Sequence, residues 1–354
     1  MVNHPSPYPA QQFLSRCPLY LSFDDVLMVP HYSDVESRKS LSTENSLGNI
    51  TLDLPIISSP MDTVTEVAMA SAMDSHGGLG IIHRYNSIIE QADLVKTAKD
   101  KGLTNIGAAI GVTGDYQERA RELVNNGANV LCVDVAHGHH SMMRDALRHL
   151  KEEYGGDTHI MAGNVATGQG SLDLASWGAD SIRVGIGGGS ICSTRLVSGH
   201  GVPTLQSIID CITAGCPVPI IADGGMKTSG DVVKALAAGA DFVMLGSMLA
   251  GTDQAPGQVF DAGDKKYKVY RGMASSEAQV NWRGKTSTPE GISTTIPYKG
   301  DVNSSLSDLR GGLQSGMSYS GAKTIQELQA KAQFIQQTSA GRGESHTHIL
   351  SRNK

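Results

Sequence analysis

Cys192 lies in a glycine-rich stretch whose residue types could support nucleophilic chemistry. The stretch at 185–195 reads Gly-Ile-Gly-Gly-Gly-Ser-Ile-Cys-Ser-Thr-Arg. A lone cysteine is most often a small buried hydrophobic residue, but backbone N–H groups in a glycine loop would favour the thiolate form. Thr194 is close enough to share the site. We therefore predict that Cys192 is a catalytic nucleophile.

Glycines that follow apolar runs indicate a second kind of chemistry. Gly224-Gly225 and Gly246-Ser247 each stand at the end of such a run. Bare backbone N–H groups at helix N-termini can approach phosphate oxygens, with ordinary tight turns as the alternative. Asp223 ends one of these runs, where its carboxylate could accept hydrogen bonds from ribose hydroxyls or cap the N-terminus of a helix. The pattern predicts a phosphate site and leaves both roles of Asp223 open.

Two other patterns are weaker. His137, His139 and His140 could suggest a metal, but no fitting carboxylate spacing accompanies them, so surface or hydrogen-bonding roles are favoured. Gly185-Ile-Gly187 resembles a dinucleotide fingerprint with its third glycine misplaced. No Cys-x-x-Cys pair is present, which argues against a zinc site of thiolates. Four further cysteines are interpreted as small buried residues: Cys17, Cys132, Cys211 and Cys216.

Short apolar runs must position these residues. Most runs lack the alternating polar residues of half-exposed strands, as expected for buried parallel strands. Eight strands are predicted, at Pro55–Ser58, Leu79–Ile82, Ile106–Ile110, Val130–Val135, His159–Ala162, Ser181–Gly185, Pro219–Asp223 and Phe242–Gly246. Helices are predicted between them, at Val64–Met73, Tyr116–Asn125, Met142–Glu153, Leu172–Trp177, Leu205–Ala214 and Gly230–Ala238.

The joints between these elements favour one fold. Three strands are entered through Gly-Ala-Asn or Gly-Ala-Asp, at 127–129, 178–180 and 239–241. A glycine that ends a helix and leads at once into a strand is expected in alternating α/β units. The pattern favours a (β/α)8 TIM barrel, with an open doubly wound sheet as the alternative. In a barrel, all the candidate residues follow strand C-termini on one rim.

The chain beyond the eighth strand is predicted to add to this rim. The segment 253–298 has few apolar residues and is too long for an ordinary connection, so we expect a flap. Helical stretches follow at Leu306–Leu313 and Ile325–Phe334, and a polar tail at 339–354. The N-terminal residues read as a short disordered or packed arm.

Composition excludes several classes of partner. Of 354 residues, 40% are hydrophobic and 18% are charged, as in soluble globular proteins. The net charge of −6, without a run of like charges, gives no footprint for nucleic acid or membrane. No secretory signal or apolar run of membrane-spanning length is seen. Five scattered cysteines then predict free thiols in a reducing cytoplasm.

Six phrases together carry a resemblance that covers about residues 20 to 346. They are Ser22–Leu27, Ser59–Val64, Gly187–Arg195, Ala222–Gly225, Tyr270–Met273 and Tyr298–Gly300. In these phrases the chain resembles the IMP dehydrogenase / GMP reductase family. The resemblance implies a single barrel domain over residues 1–354. The pair of regulatory CBS domains that the family often inserts, here near Lys101–Asn105, is missing.

Residue by residue, the resemblance implies that Cys192 attacks C2 of a purine nucleoside monophosphate, with Thr194 and Glu290 as further catalytic residues. The implied nucleotide contacts are Ser59, Met61, Ser190, Asp223, Gly224, Gly225, Gly246, Ser247, Tyr270, Gly272, Met273, Arg283 and Gly291. The implied nicotinamide cofactor contacts are Asp134, Ala136, Asn164, Gly185, Gly187 and Arg84.

The family also implies a monovalent cation such as K+ and an oligomer. Carbonyls of Gly187, Gly189 and Cys192 would bind the cation, completed by Glu344 in the tail of a neighbouring subunit. This arrangement indicates a homotetramer and leaves an octamer open.

The two branches of the family share a covalent Cys–purine adduct and differ in its fate. The dehydrogenase oxidises IMP with NAD+ and needs water, which an adjacent Arg-Tyr pair in its flap activates. The reductase expels ammonia from GMP and takes hydride from NADPH. Here the flap stretch 272–291 has no Arg-Tyr pair, since Gly284 follows Arg283. The stretches 275–277 and 83–85 also look like the reductases.

Other phrases look like bacterial dehydrogenases, among them Pro289-Glu290-Gly291 and Glu344-Ser345-His346. Because the missing pair bears directly on the chemistry that divides the branches, we favour an NADPH-dependent GMP reductase. An IMP dehydrogenase using NAD+ is the alternative. A nucleotide-binding or filament-forming protein without catalysis is a remote third, which the intact Cys192, Thr194 and Glu290 set opposes.

Overall fold

Eight parallel strands close into one barrel in chain order. The computed structural model describes residues 17–345 and 347; the predicted N-terminal arm (1–16) and tail residues 346 and 348–354 lie outside them. The barrel strands are β1 Ile56–Ser58, β2 Leu79–Ile82, β3 Gly107–Ile110, β4 Val130–Asp134, β5 His159–Val165, β6 Ser181–Val184, β7 Ile220–Asp223 and β8 Phe242–Leu245. All eight predicted strands and the TIM barrel are confirmed, and the open sheet is wrong.

Helices connect the strands on the outside of the barrel. They are α1 Val67–Ser75, α2 Ile88–Asp100, α3 Tyr116–Asn125, α4 Ser141–Tyr154, α5 Gly168–Ser176, α6 Thr204–Thr213, α7 Ser229–Ala237 and α8 Val302–Tyr319. Helix α2 was missed because Ile89 is exposed and Gln91 is buried, which obscures the apolar period. Its capping box, in which Ser87 and Glu90 bond each other, was the available signal. Only a short loop joins α2 to β3, so no domain is inserted there.

The inside of the barrel is packed from its base upward. A hairpin of strands Asn45–Leu47 and Ile50–Leu52 places two leucines in the same cluster as inward-facing Ile81 and Phe242. The hairpin closes the face opposite the predicted site. The interior is therefore a solid apolar support, and polar groups are confined to its two ends.

The flap segment, residues 253–298, forms its own small sheet. Strands β9 Phe260–Ala262, β10 Lys265–Arg271 and β11 Ser293–Pro297 pair antiparallel. The flap helix, Ser276–Arg283, lies between β10 and β11 and begins at Ser275, whose hydroxyl accepts the N–H of Ala278. This unit hangs over the carboxyl ends of the barrel strands.

The C-terminal part corrects one boundary. A helix occupies Ile325–Lys331, whereas the sequence predicted a helix continuing to Phe334. The backbone becomes extended at Ala332, and Phe334–Gln336 pairs antiparallel with Val26–Met28. Within the described residues, no helix is long and apolar enough to cross a membrane.

Candidate active site

A cavity of about 490 Å³ opens at the carboxyl ends of the barrel strands. Cys192, Thr194 and Glu290 line it. The lining also contains the predicted nucleotide residues Ser59, Met61, Ser190, Asp223, Gly224, Gly225, Gly246, Ser247, Tyr270, Gly272, Met273, Arg283 and Gly291, and the predicted cofactor residues Asp134, Ala136, Asn164, Gly185, Gly187 and Arg84. Residues spread over more than 200 positions thus meet in one place.

The cysteine loop presents its thiol to this cavity. Cys192 is exposed, and its Sγ lies 3.1 Å from Thr194 Oγ1. The Cys192 N–H donates to the Gly189 carbonyl, which tightens the loop. Thr194 begins a short helix, Thr194–Ser198. The predicted proximity of the thiol and the threonine hydroxyl is confirmed.

Backbone hydrogen bonds join the cysteine loop to the flap segment. The Ser193 N–H donates to the Glu290 carbonyl at 2.9 Å, and Ile292 N–H donates to the Ile191 carbonyl at 3.0 Å. Glu290 N–H in turn donates to Ala274. These bonds hold the backbone of Glu290 beside the loop of Cys192.

A tight cradle surrounds Tyr270. Its buried side chain lines the cavity together with Ser190 and Ser247, and burial raises its pKa, so it stays a neutral group. A Cβ at Gly246 would lie 3.2 Å from both Tyr270 Oη and Met61 Sδ. The small hydroxyl and glycine groups here leave space for a ligand and hydrogen bonds for an anion.

The floor of the cavity is a polar network. Asn164 Nδ2 donates to Asp223 Oδ2 and to the Gly185 carbonyl, both at 2.8 Å. Helix α7 is capped by Thr228, whose hydroxyl accepts the N–H of Asp231. The helix-cap alternative for Asp223 is therefore wrong, and its carboxylate faces the cavity.

Arg183 belongs to this floor and was missed. Its guanidinium contacts both Asp134 Oδ1 and Asp223 Oδ2. The residue stands in β6, where it was interpreted only as part of a strand. A charged residue inside an otherwise apolar buried strand was the signal, since buried arginines require partners.

Three buried atoms of the cavity lining have no hydrogen-bond partner in the described chain: Asn164 Oδ1, Arg84 Nε and Arg183 Nε. Leaving such groups unpaired is costly, so a ligand group is the natural partner. One of these atoms is an acceptor and two are donors.

An aromatic contact, also missed, seats the flap helix on the barrel rim. The Trp282 ring stacks on Tyr85 at 4.4 Å between centroids. The guanidinium carbons of Arg283 and Arg84 lie 4.1 Å and 5.0 Å from the centre of the same indole. Tyr85 stands in the stretch 83–85 and Trp282 in the stretch 272–291, but neither stretch indicates that the two rings meet.

Some predicted features remain apart from the cavity. Glu344 ends an exposed helix, Ser339–Glu344, and does not line the cavity of its own chain. Across the described residues, no group of three or more His, Cys, Asp or Glu could hold a metal ion. Cys132 and Cys211 are buried as predicted, but Cys17 is exposed and Cys216 is only half-buried.

Comparison with known proteins gives a consistent picture. The model of the IMP dehydrogenase / GMP reductase domain matches residues 20–348. An inosine-5′-monophosphate dehydrogenase of Cryptosporidium parvum is 39% identical, covering 93% of this chain and 94% of the relative. A GMP reductase of Leishmania major is 33% identical, covering 96% and 99%.

A solved structure is similar along nearly the whole chain. It is a cysteine-to-alanine variant of GMP reductase from Trypanosoma brucei in complex with guanosine 5′-monophosphate. The TM-score is 0.90 at 33% identity, with 95% of this chain and 99% of that chain covered. The Leishmania alignment runs over 485 positions, more than the 354 residues here, so that relative contains residues without a counterpart in this chain.

Proposed function

Because the chain belongs to the IMP dehydrogenase / GMP reductase family, whose members are purine nucleotide oxidoreductases, we propose that it is a GMP reductase. It converts GMP and NADPH, with two protons, to IMP, ammonium and NADP+. The GMP held by the similar trypanosomal structure supports this substrate.

The residues of the flap are the reason that we favour the reductase over the dehydrogenase. In the flap stretch 272–291, the residues that line the cavity are Gly272, Met273, Ala274, Gln279, Arg283, Ser287, Thr288, Glu290 and Gly291. None is a tyrosine, and Arg283 is followed by Gly284 in a left-handed helix cap. The stretch 272–291 therefore supplies no adjacent Arg-Tyr pair to activate water, which supports chemistry without a hydrolytic step.

The cavity is lined by two tyrosines outside that stretch, Tyr85 and Tyr270, and both are poor substitutes for the Arg-Tyr pair. Burial raises the pKa of Tyr85, whose ring is held against Trp282, while Arg84 donates to the Asp134 carbonyl. Burial also raises the pKa of Tyr270. A phenol with a raised pKa is protonated at neutral pH and does not serve as a base.

In the proposed reaction, the Cys192 thiolate adds to C2 of GMP, and the C2–N bond then breaks. Thr194, 3.1 Å from the thiol, relays a proton to the departing amine, and Glu290 on the adjoining backbone supplies it. Ammonia leaves, and a thioimidate links Cys192 to the purine.

NADPH, when bound, supplies the hydride that reduces this thioimidate at C2. Asp134, Asn164 and Arg84 would hold its nicotinamide end, and the unpaired Asn164 Oδ1 and Arg84 Nε fit a carboxamide. The thiolate of Cys192 is then expelled as IMP forms. Asp223 would hold the ribose, and the cradle around Tyr270 the phosphate.

IMP dehydrogenase is the second candidate, favoured by the identities to relatives of that name. These reach 36% in Nitrosopumilus maritimus and 39% in Cryptosporidium parvum, against 33% for the Leishmania major GMP reductase. The thiol, Thr194 and Glu290 serve both reactions, so they do not separate the two.

One assay separates the candidates. Purified protein is given GMP with NADPH in one arm and IMP with NAD+ in the other, and cofactor absorbance is followed. We expect NADPH consumption with GMP. NADH formation from IMP, without NADPH consumption on GMP, would overturn the reductase. Inactivity in both arms, with nucleotide still bound, would favour a non-catalytic member, and Cys192→Ala serves as the blank.

We also propose a homotetramer that binds a monovalent cation such as K+. The loop of Gly187, Gly189 and Cys192 would supply carbonyls, and the tail around Glu344 of a neighbouring subunit would complete the site. The exposure of Glu344 on its own chain is compatible with a role in another subunit. Glu344→Gln is expected to raise the K+ concentration needed for half-maximal activity.

A further inference from the structure

Arg183 lies between two carboxylates at the floor of the cavity. Its neighbours in β6, Ile182 and Val184, face the outer core, which turns Arg183 into the barrel. Nη1 donates to Asp134 Oδ1 at 2.6 Å and Nη2 to Asp223 Oδ2 at 2.8 Å. The guanidinium is buried, with 5% of the residue exposed, whereas the two carboxylates are partly exposed to the cavity.

The two carboxylates end different strands on opposite sides of Arg183. Asp134 ends β4, toward the proposed cofactor side, and Asp223 ends β7, toward the proposed ribose side. A third neighbour is the Cys132 thiol, 3.3 Å from Nη1. Burial raises its pKa to about 12, so it carries no charge. The Arg183 guanidinium therefore bonds two carboxylates, and each carboxylate is assigned to a different ligand.

Other polar groups hold the carboxylates less completely. Asp223 also accepts Asn164 Nδ2 on the same oxygen, Oδ2. Arg84 donates to the Asp134 main-chain carbonyl, and its Nε is 3.9 Å from the carboxylate. Among the residues that the structure describes, Arg183 alone donates hydrogen bonds to both side chains, and its planar, rigid fork fixes the two at one relative position.

We propose that Arg183 is a positioning residue that couples nucleotide binding to cofactor binding. A ligand that orders Asp223 also orders the guanidinium, which then holds Asp134 in place for the second ligand. By thermodynamic reciprocity, the cofactor tightens nucleotide binding by the same factor. The inference rests on the proposed function only in requiring that both ligands share this cavity.

Calorimetric binding to intact protein tests the coupling. Cys192→Ala is the parent, because it cannot form the adduct. Affinity for GMP is measured with and without saturating NADPH, and affinity for IMP with and without NAD+. We expect the cofactor to tighten nucleotide binding at least about five-fold, the lower end for coupled sites. In Arg183→Met this factor should fall to about one.

Two variants keep the test decisive. Arg183→Lys retains a charge but not the fork, so it should fold and still lose most of the coupling. Arg119→Met removes another buried arginine, which bonds Asp115 and Gln91 away from the cavity, and should retain the coupling. A coupling factor unchanged in Arg183→Lys, or absent in the parent, would overturn the inference. Turnover of IMP instead of GMP would overturn only the proposed function, since the IMP and NAD+ arm still measures the coupling.

Discussion

The indole of Trp282 stacks on the ring of Tyr85, with centroids 4.4 Å apart and planes 28° apart. Trp282 belongs to the flap helix, and Tyr85 follows strand β2. The stack therefore joins the flap to the barrel rim beside Arg84 and Arg283, which both line the cavity. The stack fixes the position of the flap helix relative to the proposed cofactor side of the cavity.

Trp282→Ala should release the flap helix. An aromatic pair and a cation–π contact together are worth about 1–2 kcal/mol, so we expect kcat/KM for the cofactor to fall by about 5- to 30-fold. Steady-state kinetics measure it. Trp177→Phe, away from the cavity, should leave kinetics unchanged and isolates Trp282 fluorescence. Equal cofactor kinetics in Trp282→Ala and the wild type would show that the stack does not position the flap.

Most of the site could be predicted from sequence because its residues stand in recognisable phrases at strand ends. The role of Arg183 and the contact between Tyr85 and Trp282 could not be predicted in this way. Arg183 depends on two carboxylates from other strands, and the Tyr85–Trp282 contact joins positions nearly 200 residues apart. Such contacts are set by tertiary packing, which neither periodicity nor a local motif reports.

Alkylation should distinguish the cysteines. Burial raises the pKa of Cys132 to about 12 and of Cys211 to about 11, so both stay thiols and resist iodoacetamide at about pH 8. Exposed Cys192 and Cys17 should react. Mass spectrometry of peptides measures this. GMP should protect Cys192 and leave Cys17, the internal control, reactive. Loss of label from both with GMP, or from neither, would contradict a nucleotide site at Cys192.

Thr194→Ala should lower kcat while retaining nucleotide affinity. Removing a positioned proton-transfer group costs about 100-fold or more, and the Thr194 hydroxyl lies 3.1 Å from the thiol. Stopped-flow turnover and GMP titration measure the two effects separately. Thr194→Ser keeps the hydroxyl and should retain most activity. If serine and alanine were equally impaired, the methyl group and not the hydroxyl would be the important part.

Gly246→Ala should weaken phosphate binding. The added methyl would lie 3.2 Å from Tyr270 Oη and Met61 Sδ, tighter than ordinary contact. Overpacking of this kind costs about 1–3 kcal/mol, so KM for the nucleotide should rise about 5-fold or more. Gly311→Ala in α8, where a methyl meets no atom, is the matched control and should leave KM for the nucleotide unchanged. Unchanged KM in Gly246→Ala would place the phosphate elsewhere.

The base of the barrel illustrates what sequence reasoning leaves out of the fold. The strands and most helices follow from apolar runs and glycine joints. The hairpin at residues 45–52 has only three residues per strand, too few for a period to stand out, yet it closes the barrel. His159 was likewise predicted only as a strand residue, and its buried ring bonds Ser181 and lies against Gly48 of the hairpin, where a Cβ would be 3.1 Å from Nδ1.

His159 should make stability pH-dependent. It is 8% exposed, its Nε2 lies 2.8 Å from Ser181 Oγ, and burial lowers its pKa to about 4. Unfolded, the imidazole has a pKa of about 6.5, so between these values the unfolded state binds a proton that the native state does not. Stability is therefore lost as pH falls through this window. From about pH 7 to pH 5 the loss in the free energy of unfolding should be about 2 kcal/mol.

Urea unfolding of wild type and His159→Gln at both pH values measures this loss, with exposed His200→Gln as control. The glutamine variant should lose about 2 kcal/mol less than wild type over the interval, and an equal loss in both would mean that His159 is protonated in the folded protein.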